Sequence, residues 1–597
     1  MAAELGIRLF FIIAFISFVG SIALFPKTEE KLSLLAEVLM STVLVMCFGA
    51  VAAGVYKIVK MPVNVGTIGV IYMVPSLVLW GLIIAKKKIQ KLGISKIEII
   101  SVAILSIVFM AVELTVFSYE MRPSYNYNTD AGNHLASALG IVRTGEVSGM
   151  YFAAFHNAML IELFTPFLEE IKYYKGFVLA DSLGYYFQIL FIFSMIYSIA
   201  KKKITKYMAP ILTILCWAGY PLYSYIEGHY VYWGWGAVLV CYLFYEAVQY
   251  KEKRRSGIGF GIALIAGFCG IVLCYNLFAP VALWVLLILG IMEWRKRKIQ
   301  FTKKTWIMLG CGALFCVLVA VFGYFSFFHG YSRESSILAS LKMQGGCYRN
   351  LYSDFLWTLP VVLVFCIYCF KKKQMHSYGV VYLSLVGLQV LVLGAYFIGM
   401  ISAYYYYKFY YPLWIMHWGV LALAIETIKL ETSERKYVYS YAAVFTVSLL
   451  SSFLHVEERI NEVGPGWLTE EGALGHTLYY RNMQTLQSDF AEQKYSTEQF
   501  EICQYVIDNL RPTGEVVGFA GWEDCRGQAN WYVAITGMQN HLTHQLIEAD
   551  SWKDVLDSGK FKYYVVLKGS ALYKDNMDYF DEKTWIFENE EGFIVED

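Results

Sequence analysis

The twelve cysteines of this 597-residue chain follow no pattern that would hold a metal or build a disulfide framework. Nine of them lie inside apolar runs, where a thiol behaves as a small hydrophobic side chain. The CxxC pair Cys366 and Cys369 falls within a predicted helix. The cysteines therefore indicate neither a zinc site nor a disulfide-stabilised fold.

A cleavable signal peptide is not evident either. The first apolar run, residues 7–25, lacks a charged n-region and a small-residue cleavage site, so we expect it to remain as a helix. Apolar side chains are what the chain has in excess: 57% of its residues are hydrophobic and 17% are aromatic. Soluble domains contain about 45–50% apolar residues. A bilayer accommodates this composition, which predicts a polytopic α-helical membrane protein.

The net charge of +1 is divided unevenly along the chain. From residue 456 to the end there are 11 Lys and Arg residues against 26 Asp and Glu residues, a net charge of −15. The preceding part carries 38 basic and 22 acidic residues, a net charge of +16. A basic membrane region followed by an acidic, water-soluble region is therefore expected.

Fourteen stretches of about 20 mostly apolar residues predict about 14 transmembrane helices. They are residues 6–25, 34–56, 65–85, 97–118, 177–200, 207–225, 231–249, 257–275, 278–293, 305–327, 353–370, 377–400, 408–428 and 437–455. The count is most easily altered around residues 260–293, where two spans abut. Basic loops fall on one side when these spans are threaded in order, at residues 86–96, 201–206, 251–255, 295–304, 371–373 and 429–436. The positive-inside rule makes that side cytoplasmic.

The opposite side then holds a loop at 120–176, a second loop at 328–352, and the acidic tail at 456–597. The tail predicts a small extracytoplasmic α/β domain, with helices at 497–510 and 551–558, strands at 515–521 and 562–567, and a hairpin at 585–596. It has no phosphate-binding Gly loop and no nucleophile elbow. We expect this domain to cover a site in the membrane region or to recognise an acceptor.

The loop at 120–176 contains the most informative stretch, residues 125–146. Thr129 or Asn128 can cap a helix that begins at Asp130. Its apolar face, formed by Leu135, Leu139 and Val142, is predicted to lie on the membrane surface.

His134 falls one turn after Asp130 on the same helix face. Arg143 in the last turn suits the helix dipole, and Gly145 is predicted to end the helix. Without further support, Asp130 is simply a polar residue in a first helical turn.

This stretch resembles the first extracytoplasmic loop of the GT-C glycosyltransferases, the superfamily of protein O-mannosyltransferases and the lipid A aminoarabinose transferase. Asp130, His134, Ala136/Ala138 and Gly145 match the order and spacing of that loop. Two departures stand out. Ala131 occupies a position where many relatives have a second carboxylate, and the loop follows the fourth span rather than the first.

The resemblance divides the chain into additional N-terminal helices at 1–96, a GT-C-like core at 97–455 and the extracytoplasmic domain at 456–597. It implies a sugar donor linked to polyprenyl phosphate, and a glycan, lipid or protein acceptor on the outer face. Asp130 would act as the base for the acceptor hydroxyl or stabilise an oxocarbenium-like state. The same carboxylate can instead hold a divalent metal such as Mg or Mn, and both roles stay open.

Other outward-facing residues are candidates for substrate contact. Lys408, in a tyrosine-rich run, resembles the basic residue that the family places before a late helix, where a cation can meet the departing phosphate. Arg333 is a second candidate, in the loop at 328–352. Glu227 and His229 lie in a tight outer turn. For each residue the alternative is a solvated or snorkelling side chain.

A lipid-linked sugar flippase or transporter is the main alternative function, because such carriers also have many spans. The spans are poor in the charged residues that a transport path needs, and a carrier has no obvious use for a large outer domain. A polysaccharide polymerase and a GT-C-like scaffold without activity are further alternatives. Membrane lipids are expected partners and nucleic acid is not. The composition favours a bacterial plasma membrane protein.

Overall fold

The computed structural model describes residues 2–116, 121–122, 130–147, 151–226, 231–251, 254, 257–297, 303–323, 341–342, 358–371, 377–428, 478, 482, 486, 494–538 and 542–597. The described part is a bundle of long apolar helices followed by a small region with a four-stranded sheet. The chain is thus a helical membrane protein with a C-terminal sheet region, as predicted.

The bundle contains seventeen helices within the described ranges. They are α1 (Ala2–Leu24), α2 (Leu34–Val59), α3 (Val65–Lys86), α4 (Lys96–Val116), α5 (Asp130–Thr144), α6 (Tyr151–Phe164), α7 (Tyr173–Ile199), α8 (Lys203–Ala218), α9 (Tyr220–Ile226), α10 (Val231–Lys251), α11 (Gly257–Tyr275), α12 (Ala279–Arg297), α13 (Lys303–Gly323), α14 (Leu359–Lys371), α15 (Ser377–Phe397), α16 (Ala403–Lys408) and α17 (Tyr410–Ile428). Two short strands, β1 (Leu32–Ser33) and β2 (Leu92–Gly93), pair in parallel beside them.

Eight helical stretches in the described part are long and apolar enough to cross a membrane. They are Ala3–Leu24, Leu34–Ile58, Val65–Lys86, Lys96–Val116, Glu170–Ile199, Val231–Tyr250, Gly257–Ile291 and Gly379–Phe397. The predicted count of fourteen is therefore not confirmed. The two abutting predicted spans near residue 276 form one stretch of 35 residues. The predicted span at 437–455 lies outside the described residues.

Helices α7, α10 and α17 occupy the interior of the bundle, whereas α1, α3 and α4 lie at its periphery. The peripheral helices expose large apolar side chains, such as Ile16, Leu77 and Ile107. Water would solvate such a surface poorly and lipid tails solvate it well. These exposed faces are therefore suited to contact with a bilayer.

Several of the basic loops lie together at one end of the bundle. The ammonium of Lys88 lies 3.0 Å from Glu29, and the guanidinium of Arg254 lies 3.1 Å from Glu30. Both acidic residues belong to the connection between α1 and α2, so the ends of α3 and α10 meet there. This arrangement agrees with the predicted placement of these two basic loops on a common side.

The C-terminal region contains the elements that its sequence predicts. Its helices are α18 (Thr497–Tyr505), α19 (Arg526–Thr536), α20 (Leu542–Glu548), α21 (Trp552–Leu556), α22 (Ala571–Lys574) and α23 (Met577–Asp581), and its strands are β3 (Val517–Ala520), β4 (Tyr563–Leu567), β5 (Thr584–Glu588) and β6 (Gly592–Glu596). The strand order is β3-β4-β6-β5, with β3 parallel to β4 and the other pairs antiparallel. The predicted closing hairpin is confirmed.

The two faces of this sheet bury different sets of residues, because successive side chains of a strand point to opposite faces. Tyr563 and Val565 of β4 share a core with α5 and α7. Tyr564 and Val566 pack on the other face with residues of α20 and the C-terminal helices. One face of the C-terminal region is therefore docked on α5 and α7.

Candidate functional site

Helix α5 begins at Asp130, as the sequence predicts. Gly145 follows its last turn with a φ of +71°, and its N–H donates to the carbonyl of Ile141 at 2.7 Å. Glycine adopts this left-handed conformation without the steric cost that a side chain would add. The predicted helix end is therefore confirmed. The side chain of Asp130 and the predicted capping residues Thr129 and Asn128 lie outside the described residues.

The apolar face of α5 is covered by protein. Leu135 and Leu139 are fully buried in the core that also contains Phe177 of α7 and Trp531 of α19. The prediction that this face lies on the membrane surface is wrong. The reason is that the C-terminal region supplies a second apolar surface, which amphipathic periodicity alone cannot distinguish from lipid.

Helices α5 and α19 approach each other closely at Gly132. A Cβ atom at this position would lie 2.7 Å from the carbonyl carbon of Asn530 and 2.8 Å from the backbone nitrogen of Trp531. Real side chains do not tolerate such distances to backbone atoms. Gly132 therefore permits the contact, and Ala131 beside it is buried in the same core.

Arg143 connects the last turn of α5 to the last turn of α19. Its guanidinium donates to the carbonyl oxygens of Ala534 at 3.0 Å and Ile535 at 2.8 Å. A cation at this position also interacts favourably with the negative end of the α19 dipole. Its Nε donates to the carboxylate of Glu170 at 3.1 Å. The position of Arg143 is as predicted, but its hydrogen bonds go to another helix.

Glu170 joins a second arginine to this cluster. Arg511 donates to both carboxylate oxygens of Glu170, each at 2.7 Å, and to the carbonyl of Thr536 at 3.2 Å. The hydrogen bond to Glu170 raises the pKa of Arg511 above its ordinary value. Glu170 therefore ties the connection between α6 and α7 to the C-terminal region. We call Arg143, Glu170 and Arg511 the docking clamp.

His134 faces the transmembrane bundle from α5. Its side chain is buried, with 4% exposed. Its ring meets the ring of Tyr232 edge to face, with the centroids 5.2 Å apart. Tyr232 lies at the start of α10, and its ring packs 5.4 Å from that of Tyr275 at the end of α11. His134 thus brings α5 against the start of α10, next to the end of α11.

Lys408 is directed into the protein. It is 2% exposed, and its ammonium donates to the Tyr404 hydroxyl and lies 3.9 Å from the centre of that ring. Three further rings lie 5.4–5.9 Å from the same nitrogen, those of Tyr275, Trp233 and Tyr232. The quadrupoles of these four rings attract the cation. We call the four residues the Lys408 cage.

The Lys408 cage joins two of the predicted site residues. Tyr232 touches His134 on one side and faces the ammonium of Lys408 on the other. Tyr232 and Trp233 are both buried within the bundle. Tyr275 and Tyr404 were not singled out, and no sequence signal distinguishes them, because the cage unites segments that lie far apart in the chain.

Glu113 forms hydrogen bonds between helices near the same end of the bundle. Ser182 of α7 donates to its carboxylate at 2.6 Å, and the hydroxyl of Tyr225 of α9 donates to its other oxygen. Glu113 therefore connects α4 to α7 and α9. Asp181 is fully buried beside Ser182.

The remaining predicted site residues, Glu227, His229 and Arg333, lie outside the described residues. Within the described ranges, no three His, Cys, Asp or Glu side chains form a group that could hold a metal ion. The prediction of a Mg or Mn site involving Asp130 stays a prediction, because the Asp130 side chain is not among those described.

Searches of this sequence against models of protein families and against curated proteins found no match.

Proposed function

We propose that this chain is a membrane glycosyltransferase of the GT-C type. It would move a sugar from a polyprenyl-phosphate donor to an acceptor on the extracytoplasmic face of a bacterial plasma membrane. The observation that carries the proposal is the contact sequence from Lys408 through Tyr232 to His134, on the helix that begins at Asp130. It unites a buried cation with the helix that resembles the GT-C motif.

Lys408 would stabilise the departing polyprenyl phosphate. The leaving phosphate gathers negative charge in the transition state, and a fixed cation lowers the energy of that charge. Burial strengthens the interaction because water screens the charges less. The Lys408 cage surrounds the ammonium with aromatic rings, which exclude water while leaving the cation charged.

Asp130 would act on the acceptor. A hydroxyl nucleophile has a high pKa and needs a base placed within hydrogen-bond reach, and a carboxylate one turn before His134 has a suitable location. The same carboxylate can stabilise an oxocarbenium-like transition state or hold Mg or Mn. Ala131 is buried against the C-terminal region, so this chain would work without a second carboxylate at that position.

The test compares matched variants reconstituted with short-chain polyprenyl-phosphate sugars, with release of polyprenyl phosphate as the readout. Asp130→Asn is expected to lower kcat/KM by about 10²–10⁴-fold, the range for loss of a general base. Lys408→Gln is expected to lower it by about 10²–10³-fold, the range for loss of one electrostatic contact in the transition state. Lys172→Gln removes a half-exposed lysine in the outer loop and should leave turnover unchanged.

Addition of EDTA separates the two roles of Asp130. Loss of wild-type turnover in EDTA, restored by Mg or Mn, would assign a metal to the site; unchanged turnover would leave the base role. Equal activity of Asp130→Asn, Lys408→Gln and wild type would contradict the proposal. Donors that cross the bilayer without losing their sugar would favour the flippase.

A further inference from the structure

Asn482 closes a break between two helices of the bundle. Helix α8 ends at Ala218 and α9 begins at Tyr220. The side-chain amide nitrogen of Asn482 donates to the carbonyl oxygens of Ala218 at 2.7 Å and Gly219 at 2.9 Å. Carbonyls at a helix end lack their usual intrahelical partners, and within a membrane region they need others. Asn482 supplies a donor to Ala218 and a second donor to Gly219, whose carbonyl also accepts the Tyr223 N–H at 3.0 Å. Asn482 does so from a part of the chain that is distant in sequence.

Leu478 and Leu486 contact the bundle as Asn482 does. These three described residues are helical and spaced four residues apart. Leu478 and Asn482 are almost completely buried, and both leucines pack on the core of the bundle. The sequence assigned these positions to the extracytoplasmic domain, yet the three side chains lie against the membrane helices.

The orientation of the Asn482 amide follows from its partners. Two carbonyl oxygens can only accept hydrogen bonds, so the nitrogen must face them. The amide oxygen then points elsewhere, and it is buried without a hydrogen-bond partner in the part of the chain that the structure describes. The donor function of the residue is therefore what the helix break uses.

The helix break lies next to the Lys408 cage. Tyr220, the first residue of α9, donates to the backbone carbonyl of Tyr407 at 2.8 Å. Its ring meets Trp233 edge to face at 5.0 Å. Trp233 in turn faces the Lys408 ammonium and donates to the Lys408 carbonyl at 3.2 Å. One residue at the break thus contacts both a wall of the cage and the backbone that carries the lysine.

Gly219 adds a geometric constraint at the break. A Cβ atom there would lie 2.5 Å from the indole of Trp414 on α17. The turn between α8 and α9 is therefore packed directly against a central helix. A shift of this turn would move Tyr220, because the two residues are adjacent.

We propose that Asn482 is a positioning residue for the Lys408 cage. By holding the carbonyls at the α8–α9 break, it fixes Tyr220, and Tyr220 fixes Trp233 and the backbone of Lys408. The C-terminal part of the chain then takes part in the site through the bundle, separately from its contact with α5. The mechanistic meaning rests on the proposed function, in which Lys408 meets the leaving phosphate.

The first measurement is amine labelling of the reconstituted full chain, followed residue by residue with mass spectrometry. Lys408 is buried and is expected to react slowly, while half-exposed Lys172 provides an internal reference. In Asn482→Ala, the rate at Lys408 relative to Lys172 is expected to rise about ten-fold, because the Ala218 carbonyl loses the Asn482 donor and the Gly219 carbonyl keeps only the Tyr223 N–H. Asn509→Ala changes an exposed asparagine of the C-terminal region and serves as the matched control.

Asn482→Asp separates the loss of the N–H donors from the loss of side-chain volume that Asn482→Ala also causes. The carboxyl has nearly the same shape as the amide but lacks its N–H donors, so the same increase in Lys408 labelling is expected. Unchanged labelling of Lys408 in Asn482→Asp, with the protein folded, would overturn the inference whatever the effect on activity. An equal rise in labelling at Lys408 and at the largely buried Lys27 in both variants would indicate general unfolding and would also overturn it.

Turnover of the polyprenyl-phosphate sugar is the second measurement. If Asn482 acts through Lys408, Asn482→Ala should lower kcat/KM about ten-fold in the wild-type background and have little further effect in Lys408→Gln. Equal fold-losses in both backgrounds would show that Asn482 acts independently and would overturn the inference. If labelling changes as expected but wild type turns over no donor, the proposed function fails while the positioning role stands.

Discussion

Ala131 and Gly132 have small side chains or none, and this allows α19 to pack closely against α5. Both residues directly follow Asp130, so the first turn of this helix combines a candidate catalytic carboxylate with a close contact to α19. His134, one turn later, contacts Tyr232 at the start of α10 instead. Within five residues, α5 therefore meets both the C-terminal region and the transmembrane bundle.

The close contact at Gly132 gives a prediction with a control in the same helix. Gly132→Ala should destabilise the folded protein by about 1–3 kcal/mol, because its Cβ would overlap the backbone of α19. Gly140→Ala has open space around its Cβ and should be neutral or stabilise α5 by roughly 0.5–1 kcal/mol. Thermal unfolding in detergent compares the two variants. Equal stability of both would contradict the close approach of α5 and α19.

The same residues show what the sequence can and cannot reveal. The start of α5 and its glycine terminator follow from local spacing, whereas the candidate roles of His134 and Lys408 are what the GT-C resemblance implies and stay predictions. The contact between the last two depends on Tyr232. No local pattern predicts it, because the residues belong to three segments that only tertiary packing brings together.

Helix α5 is held at both ends by other elements. At its start it packs on α19 through Gly132, and at its end Arg143 donates to the last carbonyls of α19. The docking clamp adds Arg511, from the turn that follows α18. Periodicity identified the apolar face of α5 correctly but assigned it to the membrane, because a helix surface does not reveal which apolar partner covers it.

The docking clamp predicts unequal effects for two adjacent glutamates. Glu170→Gln removes the charge that pairs with both arginines and should weaken docking of the C-terminal region by about 1–2 kcal/mol, a value reduced by partial exposure of the groups. Glu169 pairs only with Lys172 among the described contacts, and both are well exposed. Glu169→Gln should change stability by less than about 0.5 kcal/mol.

Limited proteolysis of the C-terminal region measures this difference. Faster cleavage in Glu170→Gln than in Glu169→Gln, with the transmembrane bundle intact, is the expected result. Equal cleavage rates would show that the clamp does not hold the region in place.

The charge division along the chain corresponds to a spatial division in the whole molecule. Contacts of Lys88 and Arg254 gather two basic loops at one end of the bundle. The acidic C-terminal region packs on α5 and α7 and is joined to them by the docking clamp. Composition and hydropathy predicted this plan and the C-terminal strands. The predicted number of spans is not confirmed. Eight stretches within the described residues are long and apolar enough to cross a membrane, and α8 falls short because the break at Gly219 ends it after 16 residues.

Two single-cysteine additions test the orientation of this plan. Lys88→Cys lies at an exposed position of a basic loop, and Asp575→Cys lies on the exposed surface of the C-terminal region. The positive-inside rule places the first in the cytoplasm and the second outside. A membrane-impermeant maleimide added to right-side-out vesicles should therefore label Asp575→Cys at once and Lys88→Cys only after permeabilisation, above the background of wild type.

The reverse order of labelling would show that the topology is inverted. The Lys408 cage would then lie on the side of the membrane where extracytoplasmic acceptors are absent. Labelling of both positions without permeabilisation would mean that they share one side, which would contradict the separation of the basic loops from the acidic region.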